Sequence, residues 1–329
     1  MARILINGFG RIGRSVLRAW AEDGRWPGLE IVGINDIAGL ESGAYLFRYD
    51  SVFGRFRGDA RAEGAALVVN GVPIAFSDAP DISALDLSGV DLVLECTGKA
   101  RTRGFAERAL AAGAGRVLIS GPCEDADRTV VLGANEGDLT PADRVVSNAS
   151  CTTNALAPLL KLLDDRFGVV TGYMTTIHCY TRSQPTVDAP TGGALARSRA
   201  AALSMVPTTT SAEHLTDLVL PHLAGRVEGS AVRVPVASVS AVDLTLMTAR
   251  PTTADTVNAA FLAQKGAIIG YVDEPLVSSD LRQMPQSVIM AGPETTVTGG
   301  GLLRVFGWYD NEWGFSCRML DMATRMAAL

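Results

Sequence analysis

Cys151 stands in the run Ser147-Asn148-Ala149-Ser150-Cys151-Thr152-Thr153-Asn154, between a strand-like stretch at 144–146 and an amphipathic one at 155–167. A cysteine at such a junction falls at a helix N-terminus, where backbone N–H groups and the helix dipole favour negative charge. The thiolate is the nucleophile, so the position favours reactivity. A small buried cysteine is the commoner fate of this residue type, and the polar neighbours argue against it here. A cysteine nucleophile needs a partner that moves protons near neutral pH, and histidine suits that task. The chain has three histidines: His178, His214 and His222. His214 and His222 flank the apolar run 215–220 and read as a solvated helix face or a cap. His178 ends the strand-like Thr175-Thr176-Ile177 and opens a long irregular segment, where a general base facing a cleft belongs. Cys179 points to the other face if the strand continues, and reads as structural.

A second constellation lies at the start of the chain. Gly8-Phe9-Gly10-Arg11-Ile12-Gly13 is a GxGxxG that follows a strand pattern and opens a helix pattern. The glycines allow a tight turn and let backbone approach a pyrophosphate at the helix N-terminus. Asp36 ends the next strand pattern, where an acid bonds the ribose hydroxyls and repels a 2′-phosphate, favouring NAD. Thr97-Gly98 and Ser120-Gly121 each follow a later strand and are expected to line the same crevice. Cysteine, histidine and nicotinamide together define aldehyde oxidation. The thiolate adds to the aldehyde, hydride passes to NAD, and the resulting thioester is cleaved by water or phosphate. Phosphate use needs anion sites, for which Thr181, Ser183, Arg197, Thr208, Thr209, Thr210, Ser211 and Arg233 are candidates. Arg233 lies among apolar residues of a strand pattern, so its charge needs a partner or an outward face.

These residues must be held by two kinds of scaffold. The first half alternates strands (3–7, 29–34, 90–95, 116–119, 130–132, 144–146) with helices (11–22, 105–112). That alternation predicts an α/β, doubly wound parallel sheet of Rossmann type. After Cys151 come one helix and long strand runs at 169–177, 229–236, 240–248 and 301–309, which predict an α+β unit with a mostly antiparallel sheet. The expected division is 1–150 for the dinucleotide, completed by a C-terminal helix over 316–329, and 151–315 for catalysis. A length of 329 residues fits two domains. A net charge of −6 leaves no electrostatic footprint for nucleic acid. Five scattered cysteines fit a reducing, cytoplasmic setting better than a disulfide framework. Neither a metal-ligand spacing nor an apolar run long enough for a membrane span is expected.

Taken together the chain closely resembles the phosphorylating glyceraldehyde-3-phosphate dehydrogenase family along its whole length. The resemblance is carried by residues 6–14, by 147–154, by Thr175-Thr176-Ile177-His178 and by Trp308-Tyr309-Asp310-Asn311-Glu312-Trp313-Gly314. It implies that Asn311 holds the nicotinamide carboxamide, with Phe315 close to it. It implies that Thr181, Ser183 and Arg233 bind the substrate phosphate, and that Ser150, Thr152, Thr210 and Ser211 bind inorganic phosphate, with Arg197 between the two anions. It further implies a homotetramer acting on a phosphorylated aldehyde and inorganic phosphate.

Several positions depart from the family pattern. Ser211 stands for a glycine, Glu213 adds negative charge and Leu215 stands for a lysine, all beside the expected phosphate loop. Thr191-Gly192-Gly193 lacks the usual charges, and Ala189-Pro190 matches neither of two pairs that signal NAD or NADP, so NADP stays open as an alternative. Two other readings compete. A relative that oxidises erythrose 4-phosphate hydrolytically usually lacks a threonine at the Thr181 position, which favours the triose substrate here. A non-catalytic regulatory paralogue would not need Cys151, His178, Arg233 and Asn311 intact.

Overall fold

The computed structural model describes residues 1–192 and 194–329; Gly193, noted above for the long loop, lies outside the described residues. The chain forms two compact units. The first contains 1–130, 136–149 and 316–329; the second contains 131–135 and 150–315.

The first unit is built on a nine-stranded sheet. Its order is Arg128–Thr129, Val145–Ser147, Arg116–Ile119, Leu92–Glu95, Ala2–Asn7, Leu29–Asn35, Val72–Ser77, Ala66–Val69, Ala60–Glu63. The central strands pair in parallel, and their apolar runs (Ile4, Ile6, Val93, Leu94, Val117, Leu118) are buried, as strands covered on both faces require. The expected strand at 130–132 is absent. Val130 and Val131 are fully buried, but the ladder ends at Thr129, and a turn closed by Ala134 N–H on the Val131 carbonyl follows. An apolar run therefore marked burial, not pairing. The far edge holds an antiparallel meander over 60–77 that hydrophobic alternation alone did not reveal. The residues 316–329 are tied within this unit by Trp26 Nε1 donating to Asp321 Oδ1 at 2.7 Å and by Arg116 donating to the Met326 carbonyl at 2.8 Å.

The second unit carries an eight-stranded sheet. Its main path runs Val206–Thr208, Val227–Val234, Val169–Cys179, Ser240–Thr248, Leu302–Tyr309, Val288–Ala291, Ile269–Val272. Most pairs are antiparallel, but Val169–Cys179 runs parallel to Val227–Val234, with His178 directly opposite Arg233. Alternation places Met174, Thr176 and His178 on the buried face and leaves Tyr173 half-exposed on the other. Helix Cys151–Phe167 belongs to the buried side, tied to the sheet through Thr152 and Tyr309.

Candidate active site

In the first unit the strand Ala2–Asn7 delivers Gly8 at φ +93°, a conformation glycine adopts at no steric cost. A Cβ at Gly8 would lie 2.6 Å from Thr97 N, and one at Gly13 would lie 2.1 Å from the Gly8 carbonyl oxygen. A Cβ at Gly10 would meet nothing within 4 Å. Two glycines are therefore fixed by packing, while the third bares its backbone to open space. The helix Arg11–Asp23 begins there with no side-chain cap and no acid in its first turn. Uncapped N–H groups and a positive dipole end suit an anion, so the cradle fits a dinucleotide pyrophosphate. Asp36 accepts from the N–H groups of Phe9 at 2.5 Å and Ala38 at 2.8 Å, and so ties the glycine turn to the end of the second strand. Thr97 donates through N–H and hydroxyl to buried Glu95, which also accepts from Asn7 at 2.5 Å. Gly98 is exposed at φ +72°, and Ser120 follows the strand Arg116–Ile119. All follow the carboxyl ends of parallel strands. A cavity of about 810 Å³ lies at the opposite, amino-terminal strand ends, lined by Leu29, Asp91, Arg116, Arg144 and Met326, and includes none of these residues. Gly13→Ala is expected to force the Gly8 carbonyl aside and weaken NAD binding by about tenfold or more, equivalent to ~1.4 kcal/mol. Calorimetric titration with NAD measures the change; unaltered affinity would contradict the assignment of this turn.

In the second unit helix Cys151–Phe167 begins at Cys151 itself, earlier than the apolar periodicity indicated. Ser150 is the N-cap and its Oγ accepts from Thr153 N–H at 3.1 Å. The capping chemistry of the polar run explains the extra turn. Immediately before it Ala149 adopts φ +53° while fully buried, an unfavoured conformation of the kind found next to functional groups. Cys151 Sγ lies 3.6 Å from His178 Nε2. His178 is buried near the end of its strand, and its Nδ1 lies 2.7 Å from the Cys179 carbonyl oxygen. Donation from Nδ1–H to that oxygen leaves the Nε2 lone pair facing the sulfur, the tautomer a general base requires.

Charge and burial set the resting state of this pair. Burial, reinforced by the neighbouring Arg233 cation, pushes His178 down to about 4. The imidazole is thus neutral near pH 7. Burial also raises the Cys151 thiol above its ordinary value, against the opposing pull of Arg233 and of the N–H groups of residues 151 and 152. The helix terminus alone therefore does not hold a free thiolate. The sulfur keeps its proton until a base takes it, and His178 is in place to do so. Arg233 Nη1 donates to the same Cys179 carbonyl at 3.0 Å and reaches Thr181 Oγ1 at 3.5 Å; with Nδ1–H also a donor, its approach to Nδ1 at 2.8 Å is a charge contact and not a hydrogen bond. The acceptors its charge required are the Cys179 carbonyl and the Thr181 hydroxyl.

The remaining candidates for anion binding separate into groups. Thr181 and Ser183 hydroxyls are 3.0 Å apart beside Arg233. Arg197 Nε donates to Thr208 Oγ1 at 2.8 Å, and Thr210 Oγ1 accepts from Ala212 N–H at 3.1 Å at the start of helix Ala212–Val219. Ser211 caps this helix with φ −83° and makes no side-chain cap bond. The conformation is open to any L-residue, so a serine fits where glycine geometry is not needed. Glu213 is turned to the sheet and accepts from Gly229 N–H at 2.9 Å, and Leu215 is buried. Thr152, in contrast, buries its hydroxyl on Tyr309 OH at 2.9 Å. Among the described residues no group of three or more His, Cys, Asp or Glu could hold a metal ion.

Tyr309 was not singled out by its residue type alone. Its hydroxyl bridges Thr152 and Thr176 Oγ1 at 2.9 and 2.8 Å, and its ring meets His178 edge-on at 6.0 Å. It therefore braces the helix turn of the nucleophile against the strand of the base. Only its place in the aromatic motif 308–314 gave a hint. Tyr309→Phe is expected to remove the bridge at a cost of ~1–2 kcal/mol of stability and to lower kcat more than the affinity for aldehyde. Thermal melts with steady-state rates test it; an unchanged melt would show the hydroxyls to be independent.

Comparisons with known proteins give one family along the chain. Residues 2–103 match the family model for the glyceraldehyde 3-phosphate dehydrogenase NAD binding domain, and residues 150–311 match that for the C-terminal domain of the same enzyme. The chain is 48% identical over 332 residues to a glyceraldehyde-3-phosphate dehydrogenase of Cereibacter sphaeroides, covering 99% of each chain. It is 48% identical over 334 residues to that of Xanthobacter flavus, again covering 99% of each. The Streptomyces coelicolor protein of the same name is 44% identical over 329 residues, covering 97% of each. The chain belongs to the glyceraldehyde-3-phosphate dehydrogenase family.

Proposed function

We propose that this protein oxidises glyceraldehyde 3-phosphate to 1,3-bisphosphoglycerate, reducing NAD. The observation that carries the reading is the contact between Cys151 Sγ and His178 Nε2 at 3.6 Å, with Arg233 held against the same imidazole. His178 Nε2 takes the thiol proton as sulfur adds to the aldehyde carbon, delivers it to the carbonyl oxygen to give the thiohemiacetal, and removes it again as the hydride leaves. NAD, when bound, supplies the hydride acceptor. Gly8, Gly10, Arg11, Ile12, Gly13, Asp36, Thr97, Gly98 and Ser120 form its adenosine and pyrophosphate side, and Asn311 and Phe315 take the nicotinamide. Cys151 keeps the acyl group as a thioester, which inorganic phosphate then attacks at its carbonyl carbon, expelling the thiolate.

Arg233, Thr181 and Ser183 take the phosphate of the aldehyde. Ser150, Thr210 and Ser211 take inorganic phosphate, with Arg197 between the anions and the Thr152 backbone at the same helix turn. The departures from the family pattern leave this loop usable. Glu213 spends its charge on the Gly229 N–H, and Ser211 needs no positive φ. NAD is the preferred dinucleotide because backbone N–H groups on both oxygens of Asp36 fix its side chain at the ribose position, where an acid disfavours a 2′-phosphate. The protein acts as a homotetramer in the cytoplasm. The half-exposed Tyr173, Met247 and Leu302 on the open face of the second sheet offer apolar area for association, and no helix among the described residues is long and apolar enough to cross a membrane.

Initial rates with glyceraldehyde 3-phosphate and erythrose 4-phosphate, each with and without phosphate and with NAD or NADP, test the proposal. The expected result is phosphate-dependent NAD reduction that favours the triose. Phosphate-independent turnover favouring the tetrose would establish the hydrolytic alternative, for which the Thr181–Arg233 contact gives no support.

A further inference from the structure

Asn311 is buried, and its side-chain amide is held at one end only. Oδ1 accepts from Cys179 Sγ–H at 3.1 Å and from Ser240 Oγ–H at 3.3 Å. Ser240 Oγ in turn accepts from Cys179 N–H at 3.1 Å while it donates its one proton to Asn311. The Nδ2 amine makes no hydrogen bond among the described residues. Turning the amide over would set its N–H2 against a thiol, a poor acceptor, and against a hydroxyl oxygen that already accepts from Cys179 N–H, so the N–H2 end is the one presented outward.

The neighbouring backbone supports a built arrangement. Val239, buried and next to Ser240, has φ +67°. A β-branched residue in the left-handed region is an outlier that persists only where the surroundings enforce it. Cys179 is buried, and burial pushes its thiol up to about 12, so the sulfur retains the proton it donates. Cys179 and His178 are adjacent on one strand and serve different partners: the imidazole faces Cys151, the thiol faces Asn311.

We propose that Cys179 and Ser240 are positioning residues that lock the Asn311 amide with Nδ2 outward, so that it donates to the carbonyl oxygen of the nicotinamide carboxamide. This rests on the reading above that Asn311 receives the carboxamide. It assigns a function to a cysteine that otherwise looks like core filling.

The test is calorimetric titration of the full-length protein with NAD, with its 3-acetylpyridine analogue, which retains the carbonyl but lacks the amide nitrogen, and with ADP-ribose, which lacks the ring. Cys179→Ala is expected to weaken NAD and the analogue alike by about threefold, and Cys179→Ala with Ser240→Ala by about tenfold, as one and two lost hydrogen bonds imply. ADP-ribose affinity is expected to stay unchanged, and Cys179→Ser, which restores a donor, to return NAD affinity to within about twofold of the original. In steady state the loss is expected in KM for NAD more than in kcat. If Cys179→Ala does not fold, Ser240→Ala alone carries the same comparison. Equal weakening of NAD and ADP-ribose would reduce Cys179 to a packing role and overturn the proposal. So would unchanged NAD affinity in the double variant while Asn311→Ala weakens it, which leaves the Asn311 assignment standing. Should Asn311→Ala also leave NAD affinity intact, that assignment and the proposal fall together.

Discussion

Replacement of Cys151 by serine is expected to reduce turnover of glyceraldehyde 3-phosphate by at least ~10⁴-fold, with the melting temperature nearly unchanged. The two side chains have similar size, so helix Cys151–Phe167 and its Ser150 cap lose nothing. What changes is the attacking atom. A serine hydroxyl is a far weaker acid than a thiol, and His178, held down at about 4, is too weak a base to ionise it. Burst kinetics separate the steps: the variant should show neither a rapid NADH burst nor a slow steady state. Turnover within tenfold of the parent would show that acyl transfer to residue 151 is not part of the reaction.

His178→Asn is expected to lower kcat by ~10²–10⁴-fold while leaving Cys151 able to react with a neutral alkylating agent at high pH. Asparagine keeps a donor for the Cys179 carbonyl but supplies no base at the 3.6 Å contact with Sγ. The same variant isolates a stability effect of known sign. The unfolded chain protonates a histidine near pH 6.5, whereas the folded chain resists until about 4. Between these values the unfolded state binds more protons, so the parent loses stability as pH falls from 6.5 toward 4, by up to ~3 kcal/mol. Asp310 acts in the opposite sense. Burial lifts it to about 6, so the folded state binds the extra proton between the ordinary carboxylate range and pH 6. The difference between parent and His178→Asn across pH 4–7 removes that contribution. A difference that does not grow toward acid would contradict a neutral buried imidazole.

Much of the site was legible in the sequence because its chemistry needs particular residue types at element junctions. Cys151 at a strand-to-helix junction, His178 at a strand end and the glycines of the first turn each announce themselves in this way. The fold class followed from the switch between βα alternation and long strands at residue 150. What stayed hidden depends on partners distant in sequence. The Glu213 carboxylate looked like a threat to phosphate until its bond to Gly229 was visible. Thr152 looked free to bind an anion until Tyr309 was found on it. Cys179 was rightly placed on the other strand face, yet its partner, Asn311, could not be inferred from alternation. In the meander over 60–77 a signal was present and unread: Asn70 at φ +51° and Gly71 at φ +83° form an Asn-Gly turn, the strongest short-range mark of a hairpin. The burial that raises the Cys151 thiol against the pull of the helix terminus was likewise invisible in the local run.

His178 and Arg233 are cross-strand neighbours in a parallel ladder, not residues of converging loops. Shifting Val227–Val234 by a single residue would present Val232 or Val234 to the imidazole and turn the guanidinium to the opposite side. Their meeting is thus guaranteed by the same hydrogen bonds that hold the core together. Insertions and drift in the segment between them can proceed without separating the two, which makes catalytic geometry here as durable as the protein itself.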